Sequence, residues 1–348
     1  MDFTFTEDQL LFQASVREFL TNEVTTERIR ASWESDSGRS DAWWSQLAEL
    51  GLTGITVPEV YGGLGMNELD FVLLAQECGY VALPEPLVNT ALVSVPLLRD
   101  IGGEVAAHWL PKIATGEAKV VVGLAQNRLV EDAHVADLLL LQQGGVLLAA
   151  TPEQVSLRHN ESVDPSRKLY AVDVTGQPLE VAAGARAEAL IAEALNRGAL
   201  GGAAQALGLA QRMIDATVQY TSERQQFGKP VGSFQAVKHQ MANVAVQLEY
   251  AKAPTHRAAY ALASGQAIAS HAVSHAKLVA CDAANLAARN CHQAHGAMGY
   301  TWEMDLHIFM KKAWALANCW GDAGFHKARI GRTIFADGAA LGAGATFG

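Results

Sequence analysis

The stretch Arg224-Gln225-Gln226-Phe227-Gly228-Lys229-Pro230, followed closely by Ser233-Phe234-Gln235, puts a guanidinium, several amides and aromatic rings into one short run. A guanidinium presents a planar fork of N–H donors that matches two phosphate oxygens. Amides and a ring suit a flat heterocycle. The chemistry this set favours is binding a ligand that carries phosphates and a flat ring. A basic helix end with an ordinary stop signal would contain the same residues. Metal chemistry is poorly supported. His271 and His275 stand one helical turn apart, a spacing that can bind metal. No third ligand is evident, and a solvated or partner-facing helix surface accounts for them. The four cysteines, Cys78, Cys281, Cys291 and Cys319, form no CxxC pair. That argues against a zinc site or a disulfide framework and reads as buried thiols of a reducing compartment.

Helices must position this stretch. Before it, Leu207, Ala210, Ile214 and Val218 share one face of a run from Gly201 to Ser222. After it, a run from Phe234 continues through Met241, Val244 and Leu248. Between them Phe227-Gly228-Lys229-Pro230 breaks the period, which reads as an αα-turn. Residues 1–117 read as an N-terminal helical domain. Thr6-Glu7-Asp8-Gln9 looks like a capped helix start. Trp43, Trp44, Leu47 and Leu50 form an apolar stripe that ends at Gly51. The segment Gly51 to Gly65 reads as a short extended piece and a glycine-rich loop. Helices follow from Glu68 to Val81 and from about Ala91 to Ile101.

Residues 118–183 read as a small β domain. Strands are expected at Lys119–Leu124, at Val155–Leu157 and at Leu169–Val174. A hairpin through Gly144-Gly145 should join Asp137–Leu141 to Val146–Ala150. Residues 184–337 are rich in alanine and glycine, which allow close helix approach, and read as a four-helix bundle. Pro254 predicts a kink or break in its second helix. Residues 338–348 read as a frayed, flexible tail. The fold class is therefore mostly α with a small β domain.

The chain has 348 residues, half of them hydrophobic, and a formal net charge of −10. It is long enough for two or three domains. An acidic chain is a poor binder of bulk nucleic acid, although Lys311-Lys312 could meet one phosphorylated ligand. The N-terminus shows no basic n-region and no long apolar run, so no signal peptide is read there. No stretch approaches a membrane-spanning length. Cytoplasmic localisation is the expectation.

Three motifs resemble the acyl-CoA dehydrogenase superfamily of flavoproteins. The first is Leu47–Glu59 with Tyr61-Gly62-Gly63-Leu64-Gly65, similar to the family's N-terminal loop. The second is Arg224–Gly228 with Phe234-Gln235, similar to its RxxFG…FQ turn. The third is Gln293-Ala294-His295-Gly296-Ala297-Met298-Gly299-Tyr300-Thr301, similar to its QxxGGxGY segment. They occur in the family's order and spacing. The resemblance implies a helical N-terminal domain, a middle β domain and a C-terminal four-helix bundle, usually in dimers or dimers of dimers. It also implies FAD extended across a subunit interface, an acyl-CoA substrate, and electron-transfer flavoprotein as electron acceptor. Arg224 would then pair with the pyrophosphate of a partner's FAD. Gln226, Phe227 and Gln235 would line the same part of the cofactor. Gln293, His295, Gly296 and Ala297 would approach its adenosine end, with His295 a packing or cofactor-contacting residue rather than a proton shuttle.

In this family a glutamate removes the α-proton of the thioester while the β-hydrogen leaves as hydride to the flavin. At that glutamate's usual spacing after the QxxGGxGY segment stands Trp320, followed by Gly321. In other members the base lies on the first bundle helix; the matching position here is Gly198. Neither residue is a base. Asp322 and Glu303 are the nearest carboxylates, the first a weak substitute and the second a cap or ion-pair partner. The segment expected against the flavin ring reads Leu124-Ala125-Gln126-Asn127-Arg128-Leu129 and lacks the family's hydroxyl. Trp314 and Trp320 read as core or interface packing.

The combination resembles the subunit without catalytic glutamate in bacterial α2β2 heteromers of this family. The implied partner is a homologous subunit that carries the glutamate. The resemblance extends the implied substrate to a bulky CoA thioester of the sterol side-chain type. The alternatives are a self-sufficient homomeric flavoenzyme with a displaced base, and a cofactor-free scaffolding subunit.

Overall fold

Thr6 starts the first helix as expected. Its hydroxyl accepts from the Gln9 amide N–H at 3.2 Å, and the Gln9 side chain accepts from the Thr6 N–H at 2.9 Å, a reciprocal cap that satisfies two end donors. The computed structural model describes residues 4–339 and 342. The expected flexible tail at 338–348 lies largely outside the described residues.

The first part is helical: α1 Glu7–Glu23, α2 Thr26–Trp33, α3 Asp41–Glu49, α4 Glu68–Tyr80, α5 Leu87–Asn89, α6 Val95–Ile101 and α7 Gly103–Ala114. Between α5 and α6, residues Thr90–Ser94 form a wide π turn, so the helical run begins earlier than its apolar pattern suggests. Wide turns of this kind often border functional sites. Here Ser94 donates to the Val120 carbonyl at 2.5 Å and joins this run to the β domain. The segment from Gly51 to Gly65 contains turns and a 3-10 turn at Glu59–Tyr61; the extended piece expected there is not a strand.

The middle part holds β1 Val120–Gly123, β2 Val130–Glu131, β3 Leu138–Gln143, β4 Val146–Ala150, β5 Val155–Asn160, β6 Leu169–Val174 and β7 Leu179–Ala183. One sheet has the order β1-β3-β4-β7 and the other β2-β6-β5. The β3–β4 hairpin turns at Gly144, whose φ is +59°. β1 runs parallel to β3, which requires the long connection that carries β2.

The last part is α8 Gly184–Glu223, a short ribbon of β8 Gln225–Gln226 and β9 Lys229–Pro230, then α9 Gln235–Ala263, α10 Ala269–His295, α11 Leu306–Ala317 and α12 Ala323–Ile334. α10 packs on α8, α9, α11 and α12. Ala203, Ala206 and Ala210 of α8 are buried, as are Ala276, Ala280, Ala283 and Ala287 of α10, and such small side chains permit close helix approach. Pro254 does not end α9: the helix runs through it, because packing on both sides outweighs the one hydrogen bond a proline removes. No described helix is long and apolar enough to cross a membrane.

Candidate functional site

The residues singled out in the sequence fall into two places, one open and one closed. The open one lies where α8 ends. The Arg224 N–H still bonds to the Tyr220 carbonyl at 2.9 Å, and the Arg224 carbonyl accepts from Val231 N–H at 2.8 Å. Between them the chain makes a two-stranded ribbon with Gln226 opposite Lys229, not the simple αα-turn expected. Phe227 and Gly228 form its tip with φ of +54° and +75°. Positive φ at both tip residues is the mark of a type I′ hairpin, and it thrusts Phe227 into solvent at 90% exposure. Arg224, Gln226 and Gln235 are exposed as well. Among the described residues no carboxylate pairs with Arg224. Gln235 opens α9, whose N-terminus has no side-chain cap. Free N–H groups beside a free guanidinium suit an anion.

The end of α10 lies against the same corner. Gln293, Gly296 and Ala297 are exposed. Gly296 has φ +59°, and a side chain there would meet nothing within 4 Å, so bare backbone faces solvent. His295, read as a packing or cofactor-contacting residue, is buried, 3% exposed. Its ring stacks on Tyr220 at 4.4 Å, and its Nδ1 contacts the Cys291 carbonyl at 2.8 Å. Burial pushes its pKa down. It therefore holds the helix ends together from beneath. Tyr220, which no sequence signal marked, is the link between the ribbon and the α10 terminus.

The closed place holds the two positions where a base was sought. They are in contact. A Cβ built on Gly198 of α8 would lie 2.2 Å from Trp320 Cδ2 and 2.6 Å from Cε2. The glycine leaves the space that the indole occupies. Trp320 is 6% exposed and has φ +55°, an uncommon conformation for a bulky residue. It is held from both sides. Its N–H donates to Asn127 Oδ1 at 2.9 Å, and its carbonyl accepts from His326 Nε2 at 3.1 Å. With Nε2 donating, His326 Nδ1 accepts from the Ser274 hydroxyl, 3.0 Å away. Asn127, His326 and Ser274 were not visible as a set in the sequence.

Around Trp320 two small clefts remain, of about 20 Å³ and 30 Å³, room for a water molecule or two. Pro86, Asn89, Glu131, Arg167 and Trp320 line both. Arg167 reaches Glu131 at 3.3 Å across this space. Neither of these two clefts, at that volume, has room for a flavin ring or an acyl thioester. The open corner, by contrast, has donors and bare backbone that fit the phosphates and adenosine of a dinucleotide.

The remaining candidates are spent on structure. Asp322 caps α12, accepting from Phe325 N–H at 2.8 Å. Glu303 is exposed, and Asp305, not Glu303, precedes α11 and pairs with Arg30 at 2.6 Å. Lys312 is buried and donates to the Leu83 carbonyl at 2.6 Å, so it is not free to meet a phosphate. Trp314 is 39% exposed. Among the described residues no group of three His, Cys, Asp or Glu could hold a metal.

His326 makes the closed place sensitive to acid. Burial, aided by the Lys277 charge, pushes its imidazole from 6.5 down to about 4. Between those values the unfolded chain takes up a proton that the native chain refuses, so stability falls as pH drops from 6.5 towards 4. His256 and His307 share this direction. Thermal unfolding followed from pH 7 to pH 5 should show the native chain losing midpoint relative to His326→Gln as the pH falls.

Two family descriptions match the chain. The acyl-CoA dehydrogenase N-terminal domain covers residues 6–117, and the acyl-CoA dehydrogenase C-terminal domain covers residues 189–335. Acyl-CoA dehydrogenase IpdE2 of Mycobacterium tuberculosis is 30% identical, over 88% of this chain and 91% of the relative. Among solved structures, the Tcur3481-Tcur3483 steroid ACAD superposes with a TM-score of 0.84 at 24% identity, covering 96% of this chain and 99% of its own. The ChsE4-ChsE5 complex of Mycobacterium tuberculosis gives 0.85 at 21% identity, covering 99% and 100%. At such identity the two structures establish the shared fold, and the matched domains and IpdE2 carry the rest. The chain belongs to the acyl-CoA dehydrogenase family.

Proposed function

We propose that this chain is the base-free subunit of a heteromeric, FAD-dependent acyl-CoA dehydrogenase, and that its open corner clamps the FAD of a homologous partner. The observation that carries the reading is the pairing of Trp320 with Gly198. Both positions where the family places its base are filled by one indole and the gap that admits it, while the outward dinucleotide-binding residues stay exposed.

FAD, when bound, accepts the hydride removed from the β-carbon of the thioester. This chain's residues bind and orient. Arg224 offers its fork to the pyrophosphate, and the uncapped start of α9 adds N–H donors. Gln226, Phe227 and Gln235 flank it. Gln293, Gly296 and Ala297 present backbone to the adenosine end, with His295 beneath them. Neither Trp320 nor Gly198 can take the α-proton, so that step falls to a glutamate of the partner. A base works best there when held in a dry pocket. Electron-transfer flavoprotein as acceptor and a cytoplasmic setting accompany this reading.

Two of the similar structures carry paired names, Tcur3481-Tcur3483 and ChsE4-ChsE5, and the first is a steroid enzyme by name. They support a two-chain assembly and a bulky thioester of the sterol side-chain type. The self-sufficient alternative would rest on Glu85, a buried carboxyl beside the larger cleft with one oxygen unpartnered and a pKa raised by burial. The cleft's size stands against it.

Expression separates the readings. Alone, this chain should be poorly soluble or nearly colourless and should not oxidise acyl-CoA. Co-expressed with a glutamate-bearing homologue, it should yield a yellow, active complex. A lone chain that is yellow and active would overturn the proposal.

A further inference from the structure

We propose that Tyr300 is a stacking platform for the adenine ring of an adenosine diphosphate group, that of the FAD held at the neighbouring Arg224 corner. This rests on the reading of that corner as a dinucleotide clamp.

Tyr300 is 82% exposed, yet it is not loose. The 3-10 turn Gly296–Tyr300 folds back over the last turn of α10. Thr301 closes it, with its N–H and its hydroxyl both donating to the Met298 carbonyl, at 3.0 Å and 2.9 Å. Gly299 allows the fold-back, since a side chain there would lie 3.0 Å from the His292 carbonyl oxygen and 3.3 Å from His292 Nδ1. The Tyr300 ring then meets the His292 ring edge-to-face at 4.2 Å. It is fixed by one contact and open over most of its surface.

Its surroundings point to a purine joined to phosphates. Exposed Gln293 offers an amide, and Gly296 and Ala297 leave the backbone bare beside it. One turn away on α10, His295 stacks on Tyr220 at 4.4 Å, and the Tyr220 carbonyl holds the Arg224 N–H at 2.9 Å. An open aromatic face and a guanidinium with no carboxylate partner among the described residues are thus linked into one corner. A base has a flat face that stacks on such a ring whatever its edge carries.

The test uses the complex of this chain with its glutamate-bearing partner and compares FAD with FMN, which lacks the adenosine. Tyr300→Ala should speed FAD release about 5- to 150-fold, the range of base–aromatic stacking. FMN affinity should not change, and Tyr300→Phe should keep FAD. Thermal unfolding of the variants checks that the corner remains folded. Unchanged FAD release in Tyr300→Ala would overturn the proposal, as would equal loss of FAD and FMN. A rise confined to KM for acyl-CoA would also overturn it, assigning the ring to the adenine of CoA. Arg224→Ala separates the two levels. If it releases FAD while Tyr300→Ala does not, only the platform fails; if neither does, the clamp reading fails too.

Discussion

A single methyl group at position 198 is expected to destabilise the protein by about 3 kcal/mol, the upper part of the usual overpacking range. Gly198→Ala places its carbon 2.2 Å from Trp320 Cδ2, far inside contact distance. The indole cannot simply swing away, because Asn127 and His326 hold the Trp320 backbone on both sides. Trp320→Ala alone should cost about 3–5 kcal/mol through the cavity it leaves. Together the two changes should not add. With the indole gone, alanine at 198 becomes neutral or favourable, since it is the better helix former by about 1 kcal/mol. Urea unfolding of the two single variants and the double variant measures the coupling. Additive effects would mean that Trp320 does not occupy the space above Gly198.

Arg224→Ala is expected to weaken FAD retention in the two-chain complex about 10- to 100-fold. That follows from losing hydrogen bonds to a charged group, worth about 1.5–3 kcal/mol. Arg224→Lys should fall between, because an ammonium keeps the charge but not the fork. Because Arg224 is exposed and pairs with no carboxylate among the described residues, both variants should fold normally. Flavin release followed by fluorescence gives the rates. Unchanged release in both variants would remove Arg224 from the clamp.

The helical, β and helical order was legible because each part has its own local code. Thr6 with the acidic Glu7 and Asp8 after it announces a cap, the Gly144-Gly145 turn separates two apolar runs, and alanine marks the close-packed helices. Less was legible where the deciding partner is distant or the conformation is unusual. β7 is short with three of its five side chains exposed, so alternation does not mark it. Pro254 sits inside a helix that packing sustains. Phe227 at positive φ gives no composition signal, so the ribbon at the end of α8 read as a plain turn. Gly198 and Trp320 each looked like a missing base. Only the fold brings them together and shows that the glycine leaves the space the indole fills. His295 read as a packing or cofactor-contacting residue, and only the fold shows that its ring turns inward to stack on Tyr220.

The residues proposed for the corner could be picked out for the opposite reason. Arg224, Gln293 and Gly296 carry their chemistry in their own types, a fork, an amide and a bare backbone, and they need the fold only to bring two helix ends together. The closed site needed volumes, which no residue type states.

The most direct test is a count of flavin in the purified assembly. The complex of this chain with its glutamate-bearing partner should contain one FAD for each pair of unlike chains, and this chain purified alone should contain almost none. One FAD on every chain of the complex, or a flavin-loaded lone chain that oxidises acyl-CoA, would contradict the account.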